Sequence, residues 1–125
     1  MGIDLQENEK EWERVVLELA ALYNWDYMHV HKAQKGKSGA WLTPTSKKGW
    51  PDLTLWHKDH GIIFVELKVD NKYLRPEQKE VINSLRQAGQ HAEVWKPKHY
   101  DWVVKVLSMG PQLDIKSTSA KSDQT

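Results

Sequence analysis

The first part of the chain shows two hydrophobic periods in succession. Apolar residues between positions 8 and 23 recur three and four positions apart, which is the spacing of an amphipathic helix. They are Trp12, Val15, Val16, Leu19, Ala20 and Tyr23. Tyr27, His29 and His31 then alternate with the intervening residues, and this period of two is typical of a strand. A helix followed by a first strand is therefore predicted.

The rest of the chain predicts three more strands and two more helices. Alternating or continuously apolar segments place strands at residues 52–56, 61–69 and 91–95, with a hairpin turn at residues 58–61. Pro76 suits the first turn of a helix, and Gly89 suits the position just after its end. A last short helix is predicted over residues 100–107. The order α-β-β-β-α-β-α is typical of a mixed α/β fold, in which helices flank a mixed sheet.

A length of 125 residues and a mass of 14.6 kDa fit one domain. We expect residues 1–109 to form that domain. Residues 110–125 are polar and lack periodicity, so a disordered tail is predicted there. Residues 34–51 show neither period, and a loop of that length in so small a domain is more often functional than idle.

The composition argues against disulfide-stabilised, membrane-spanning, secreted and zinc-dependent classes of protein. The chain has no cysteine, which excludes a disulfide framework and a thiolate metal site. No apolar run approaches the roughly 20 residues that cross a bilayer, and the first residues lack the apolar core of a signal peptide. We therefore expect a cytoplasmic protein without a membrane partner. Six histidines invite a zinc hypothesis, but no three-ligand pattern such as HExxH is present.

Charge is distributed unevenly along the chain, although the formal net charge is only +1. The first eighteen residues are rich in glutamate, whereas residues 32–48 contain five lysines and no acidic residue. These lysines are Lys32, Lys35, Lys37, Lys47 and Lys48. Two interpretations remain open: an ordinary solvated loop, or a loop that contacts phosphate groups.

The most apolar run of the chain, GIIFVELKV, carries two charges near its end. In a strand, Glu66 and Lys68 share one face with Phe64. Removing an ion pair from water costs several kcal/mol per ion, so the pair alone rarely justifies such a position. A divalent cation would justify it, if a neighbouring strand supplied a second hard oxygen ligand. The alternative is a cross-strand salt bridge on a half-exposed strand.

Asp52 is the candidate for the second ligand, because it opens the preceding strand. Antiparallel pairing across the short turn can place it near Glu66. We therefore predict a three-group site in which Asp52 and Glu66 hold Mg²⁺, with Mn²⁺ as a substitute. The Lys68 ammonium would neutralise charge on a scissile phosphate or orient the attacking water.

Three motifs of the sequence resemble those of the VRR-NUC domain family, within the PD-(D/E)XK nuclease superfamily. They are Gly49-Trp-Pro-Asp52, Glu66-Leu-Lys68 and Leu74-Arg-Pro-Glu-Gln78. A PD…ExK pattern alone arises by chance, whereas this series in this order and spacing is specific. The resemblance extends from about Glu9 to Trp102 and implies a restriction-endonuclease-like core.

The same resemblance assigns roles to individual residues. It implies that Asp52 and Glu66 bind metal, with the backbone carbonyl of Leu67 as a further ligand. It also implies that Lys68 is catalytic and that Gln78 faces the site from its helix. Such families usually add a glutamate from the first helix, for which Glu9 matches best and Glu13 is the rival. His29 matches a histidine that is often seen on the family's first strand.

The first function to consider is therefore a metal-dependent DNA endonuclease without a small-molecule cofactor. The alternatives are a DNA-binding module that has lost activity and an interaction protein with an accidental motif. Standalone domains of this family resemble structure-specific nucleases that act on branched DNA, including four-way (Holliday) junction resolvases of phage and bacteria. The resemblance therefore implies such a substrate, in a bacterial or phage-infected cell. Because one small domain has room for one active site, paired cuts require a homodimer. Trp41, Leu42 and Trp50 are apolar residues that a monomer would struggle to bury, and a monomeric flap or duplex nickase remains the alternative.

Overall fold

The computed structural model describes residues 8–30 and 47–111. The elements in chain order are α1 (Glu9–Leu22), β1 (Asp26–His29), β2 (Leu53–His57), β3 (Gly61–Leu67), α2 (Pro76–Gln87), β4 (His91–Trp95) and α3 (Tyr100–Met109). A single 3₁₀ turn, Pro97–His99, connects β4 to α3. The predicted order of elements and the mixed α/β fold class are confirmed. His31, Lys32, Lys35, Lys37, Trp41 and Leu42 lie outside the described residues, as does the chain after Pro111.

The four strands form one mixed sheet in the order β1-β2-β3-β4. β1 pairs with β2 and β2 pairs with β3 in antiparallel fashion. β3 and β4 are parallel, with Glu66 opposite Val94 and Leu67 opposite Trp95. A parallel pair needs a crossover connection, and α2 supplies it. As a result the carboxyl ends of β3 and β4 lie side by side at one edge of the molecule.

One face of the sheet packs against α1 and α3 and forms the main core. Alternate residues of β2 and β3 point to this face, as the period of a strand requires. The core cluster includes Trp12, Val16, Ala20, Leu53, Leu55, Ile63, Val65, Leu67, Trp95, Val103, Val106 and Leu107. Trp12 and Trp95 are fully buried, and Trp102 packs half-buried against this cluster.

The opposite face is covered by α2, which packs on β4. Val81 and Ile82 of α2 are buried, as are Ala92 and Val94 of β4. Glu66 points to this second face, because it alternates with the core residues of β3. The carboxyl-terminal half of β3 is therefore buried on both faces, whereas its first two residues are exposed.

Two indole hydrogen bonds connect α1 and the segment after it to β4 and α3. The Trp12 indole donates to the backbone carbonyl of Trp95 at 2.9 Å. The Trp25 indole, which follows α1, donates to the carbonyl of Leu107 in α3, also at 2.9 Å. Trp25 is buried as well. The first bond brings α1 to the strand ends where the charged residues lie.

The last helix extends two residues beyond its predicted end, to Met109. Gly110 and Pro111, which follow this helix, are buried. Within residues 8–30 and 47–111, no helix has the length and apolar character needed to cross a bilayer.

Candidate active site

Asp52 lies next to the end of β3, as the antiparallel pairing predicts. Leu53 is opposite Val65 in the β2–β3 register, so the residue before β2 faces the region of Glu66. The Leu67 backbone amide donates a hydrogen bond of 2.9 Å to Oδ2 of Asp52. This bond fixes the direction of the Asp52 carboxylate relative to β3.

The segment before Asp52 is held against the first turn of α2. Gly49 has a φ of +88°, and a Cβ atom at this position would lie 2.5 Å from the Glu77 carbonyl oxygen. Glycine is therefore required both by the backbone angle and by the close approach. Trp50 packs edge-on against Phe64, with 5.7 Å between ring centroids, and Pro51 is buried. These contacts explain why Gly-Trp-Pro precedes the aspartate.

Glu66 is only 2% exposed and receives its side-chain hydrogen bond from α2. The Gln78 amide nitrogen donates to Oε2 of Glu66 at 3.0 Å. The amide oxygen of Gln78 accepts from the Arg75 backbone N–H at 2.8 Å, which satisfies one of the donors left unpaired at a helix start. Gln78 thus caps α2 and orients Glu66 at the same time.

Lys68 lies beside Glu66 on the face of β3 that α2 covers. Its ammonium nitrogen lies 3.8 Å from Oε2 of Glu66, and its side chain is 13% exposed. The Lys68 backbone amide donates to the Trp95 carbonyl at 3.1 Å, which is the same oxygen that accepts from the Trp12 indole. The backbone of Lys68 is therefore anchored to β4, at the carbonyl that also holds α1 through Trp12, while its side chain remains beside the carboxylate.

The glutamates of α1 are placed differently from Asp52 and Glu66. Glu13 lies 2.9 Å from the His29 ring nitrogen Nε2, a contact between α1 and β1. Glu9 is exposed at the first position of α1. Within the described parts of the chain, no group of three or more His, Asp or Glu side chains lies together, so neither α1 glutamate joins Asp52 and Glu66 in such a cluster. A ligand role for Glu9 or Glu13 stays a prediction.

Two of the five lysines between residues 32 and 48 lie within the described residues. Lys47 forms an exposed ion pair of 3.3 Å with Glu80 on α2, and Lys48 is exposed. An exposed ion pair of this kind contributes about 0–1 kcal/mol to folding stability. Because the pair is this weak, it does not decide whether Lys47 is a structural or a DNA-binding residue. DNA contact by the loop lysines stays a prediction.

The sequence pattern missed one charged residue at the same edge of the sheet. Lys96 directly follows β4 and is 6% exposed. The sequence did carry a signal, because β3 and β4 are both strands that are followed directly by a lysine. Only the parallel register, in which Leu67 is opposite Trp95, makes Lys68 and Lys96 neighbours.

Comparison with known proteins agrees with the geometry. The VRR-NUC domain profile matches residues 5–98. A solved structure described as a VRR_NUC domain protein superimposes with a TM-score of 0.57 at 26% sequence identity, covering 86% of this chain and 90% of that one. A search of curated proteins found no match. Because the profile spans most of the chain and coincides with the Asp52, Glu66 and Lys68 cluster, this protein belongs to the VRR-NUC family and is a nuclease-type domain.

Proposed function

We propose that this protein is a divalent-metal-dependent endodeoxyribonuclease that hydrolyses phosphodiester bonds. One observation carries the proposal: a buried strand end brings together two carboxylates, an amide and an ammonium. Asp52 is fixed by the Leu67 amide, and Glu66 is held by Gln78 and accompanied by Lys68. A structural salt bridge would need neither the buried amide of Gln78 nor the second carboxylate.

The donor set suits Mg²⁺, with Mn²⁺ as a substitute. Mg²⁺ prefers oxygen ligands and is usually held by one or two carboxylates together with water and substrate phosphate. Asp52 and Glu66 supply the carboxylates, and the Leu67 carbonyl is a further oxygen at the same strand end. A bound ion of this kind polarises the phosphoryl oxygen and activates water. Two protein carboxylates are therefore sufficient for the proposed site.

The remaining residues bind and orient the reacting groups. The Lys68 ammonium is placed to stabilise negative charge on the scissile phosphate or to orient the attacking water. Its low exposure strengthens that interaction, because charges interact more strongly away from bulk water. Gln78 keeps Glu66 in its orientation through the 3.0 Å hydrogen bond.

We further propose branched DNA, in particular the four-way junction, as the substrate, and a homodimer as the working unit in a bacterial or phage-infected cell. Two opposed active sites would deliver the paired cuts. An exposed apolar area on the sheet supports association: Met28, Trp56 and Ile62 share the Glu66 face by their register and are all exposed. Trp50 contributes less than expected to this argument, since it is half-buried against Phe64.

Cleavage of a substrate panel with Mg²⁺ tests the assignment. The panel contains an immobile four-way junction, a flap, a replication fork and linear duplex. We expect cleavage by the wild type, and its loss in Asp52→Ala, Glu66→Ala and Lys68→Ala. Glu18→Ala, which removes an exposed carboxylate of α1, serves as the control and should cleave normally.

Calorimetric titration with Mn²⁺ separates the roles of the three residues. Asp52→Ala and Glu66→Ala should lose ion binding, whereas Lys68→Ala should retain it because an ammonium is not a metal ligand. Unchanged Mn²⁺ binding in Asp52→Ala would contradict the proposed site. A protein that nicks linear duplex as readily as the junction would favour the nickase alternative over the resolvase.

A further inference from the structure

Lys96 and Lys68 are neighbours at the carboxyl ends of two parallel strands. The β3–β4 register places Leu67 opposite Trp95, and the Lys68 amide continues the ladder to the Trp95 carbonyl. Lys96 follows in extended conformation, with φ −119° and ψ 160°. The alternation of a strand therefore puts its side chain on the face of Glu66 and Lys68. Adjacent strands are about 4.8 Å apart.

The Lys96 side chain is buried but has no acidic partner. Its ammonium nitrogen lies 4.6 Å from the ring centroid of Tyr73, which itself is 78% exposed. Among residues 8–30 and 47–111, no carboxylate reaches salt-bridge distance of Lys96. Burial lowers its pKa below the ordinary value of 10.5, the positive charges of Lys98 and Lys68 lower it further, and only Asp70 raises it.

This environment makes the charge of Lys96 costly for folding. Most of the side chain is removed from solvent, and partial desolvation of an ammonium is unfavourable, whereas the contact with the Tyr73 ring compensates only part of that loss. Packing alone would be better served by an uncharged side chain. A negatively charged ligand would compensate the charge, and the adjacent nuclease site is where such a ligand is expected.

We propose that Lys96 binds a DNA backbone phosphate next to the scissile one, as a second cationic subsite beside Lys68. The proposal rests on the nuclease function proposed above. Lys68 acts at the reacting phosphate and Lys96 holds the neighbouring one. Tyr73 is a positioning residue, because its ring lies against the ammonium and restricts where it can point.

DNA binding and single-turnover cleavage of Lys96→Met test this assignment. Binding is measured by fluorescence anisotropy with Ca²⁺ in place of Mg²⁺, over a series of salt concentrations. We expect Kd to rise about 3–10-fold and the slope of log K against log salt to shrink by about one phosphate contact, roughly 0.7–0.9. The cleavage rate at saturating protein should change less than Kd, since Asp52, Glu66 and Lys68 are intact.

Lys105→Met is the matched control, because it removes the same charge from an exposed position on α3, on the other side of the sheet. It should leave the salt slope unchanged. The melting temperature of Lys96→Met should equal or exceed that of the wild type, since a costly charge has been removed. An unchanged salt slope in Lys96→Met would overturn the proposal, as would a large fall in cleavage rate at unchanged affinity.

Tyr73 provides a second route that does not disturb the buried residue. Tyr73→Phe keeps the aromatic ring and should bind DNA as the wild type does. Tyr73→Leu removes the ring from the ammonium and should weaken binding. Equal affinity of the two variants would contradict the positioning role. If the wild type binds DNA with the Lys96-dependent slope but cleaves none of the panel, the nuclease proposal fails and the phosphate subsite stands.

Discussion

At the scale of single residues, the backbone conformation of Gly49 helps to set the position of Asp52, the proposed metal ligand. Its positive φ and the approach of the Glu77 carbonyl both require the absence of a Cβ atom. Three residues later the chain reaches Asp52, whose carboxylate is tied to β3 by the Leu67 amide. A side chain at position 49 would push this segment away from α2 and shift Asp52 with it.

Gly49→Ala should therefore lower both stability and cleavage. The left-handed backbone alone costs about 1–2 kcal/mol for a residue other than glycine, and the clash with Glu77 adds to this. Gly61→Ala is the matched control, because Gly61 has a φ of +84° but open space around its Cβ position. Urea unfolding and cleavage rates should show Gly49→Ala as the worse variant in both. Equal losses would mean that the close approach to α2 does not matter.

At the scale of secondary-structure elements, a buried carboxylate joins β4 to α3. Oε1 of Glu93 accepts hydrogen bonds of 2.7 Å from the indoles of Trp95 and Trp102. Glu93 is fully buried. The guanidinium of Arg86 on α2 is near enough that Glu93 raises its pKa, although burial lowers that pKa by more. Glu93 therefore links β4 to α3 through its side chain and lies outside the proposed catalytic group.

Glu93→Ala should destabilise the fold by about 2–6 kcal/mol, because it leaves the indole donors of the buried Trp95 and the half-buried Trp102 without an acceptor, at about 1–3 kcal/mol each. Glu93→Gln keeps an oxygen acceptor and should lose less. Chemical denaturation of both variants measures the difference. The cleavage rate per folded molecule should remain near that of the wild type. A selective loss of cleavage with normal stability would instead place Glu93 in the catalytic machinery.

At the scale of the whole molecule, the sheet is covered unequally. α1 and α3 pack on one face, and α2 covers the β4 side of the other. Met28, Trp56 and Ile62 remain exposed on the uncovered part. The described residues on that part include Asp26 and no lysine or arginine, so the area is a poor surface for DNA phosphates. A second copy of the chain fits it better, since two-fold pairing places the same apolar area on both partners.

Trp56→Glu should therefore weaken self-association. Light scattering across micromolar concentrations should show a dimer for the wild type and a shift towards monomer for the variant. Tyr27→Glu is the control, because Tyr27 is an exposed aromatic residue on the opposite face of the same sheet. A wild type that remains monomeric, or equal effects of the two substitutions, would argue against pairing through this face.

The sequence by itself determined the elements and the central chemical group. Hydrophobic period is a local property, so the helix and strand patterns predicted the order α-β-β-β-α-β-α within one or two residues of the observed bounds. The proximity of Asp52, Glu66 and Lys68 could be predicted from the sequence, because a short hairpin leaves few ways to pair β2 with β3. Gln78 and its direction came from the family resemblance, and the 3.0 Å bond to Glu66 agrees with it.

Only the tertiary structure decided which distant residues are neighbours. The parallel register of β3 and β4 depends on how α2 packs across them, and no local period carries that information. For this reason Lys96 appeared as an ordinary lysine after a strand, whereas the fold buries it beside Lys68. The same holds for Glu13, whose bond to His29 depends on how α1 lies over β1. Likewise, the need for glycine at position 49 depends on the tertiary structure, because it follows in part from the close contact with the first turn of α2.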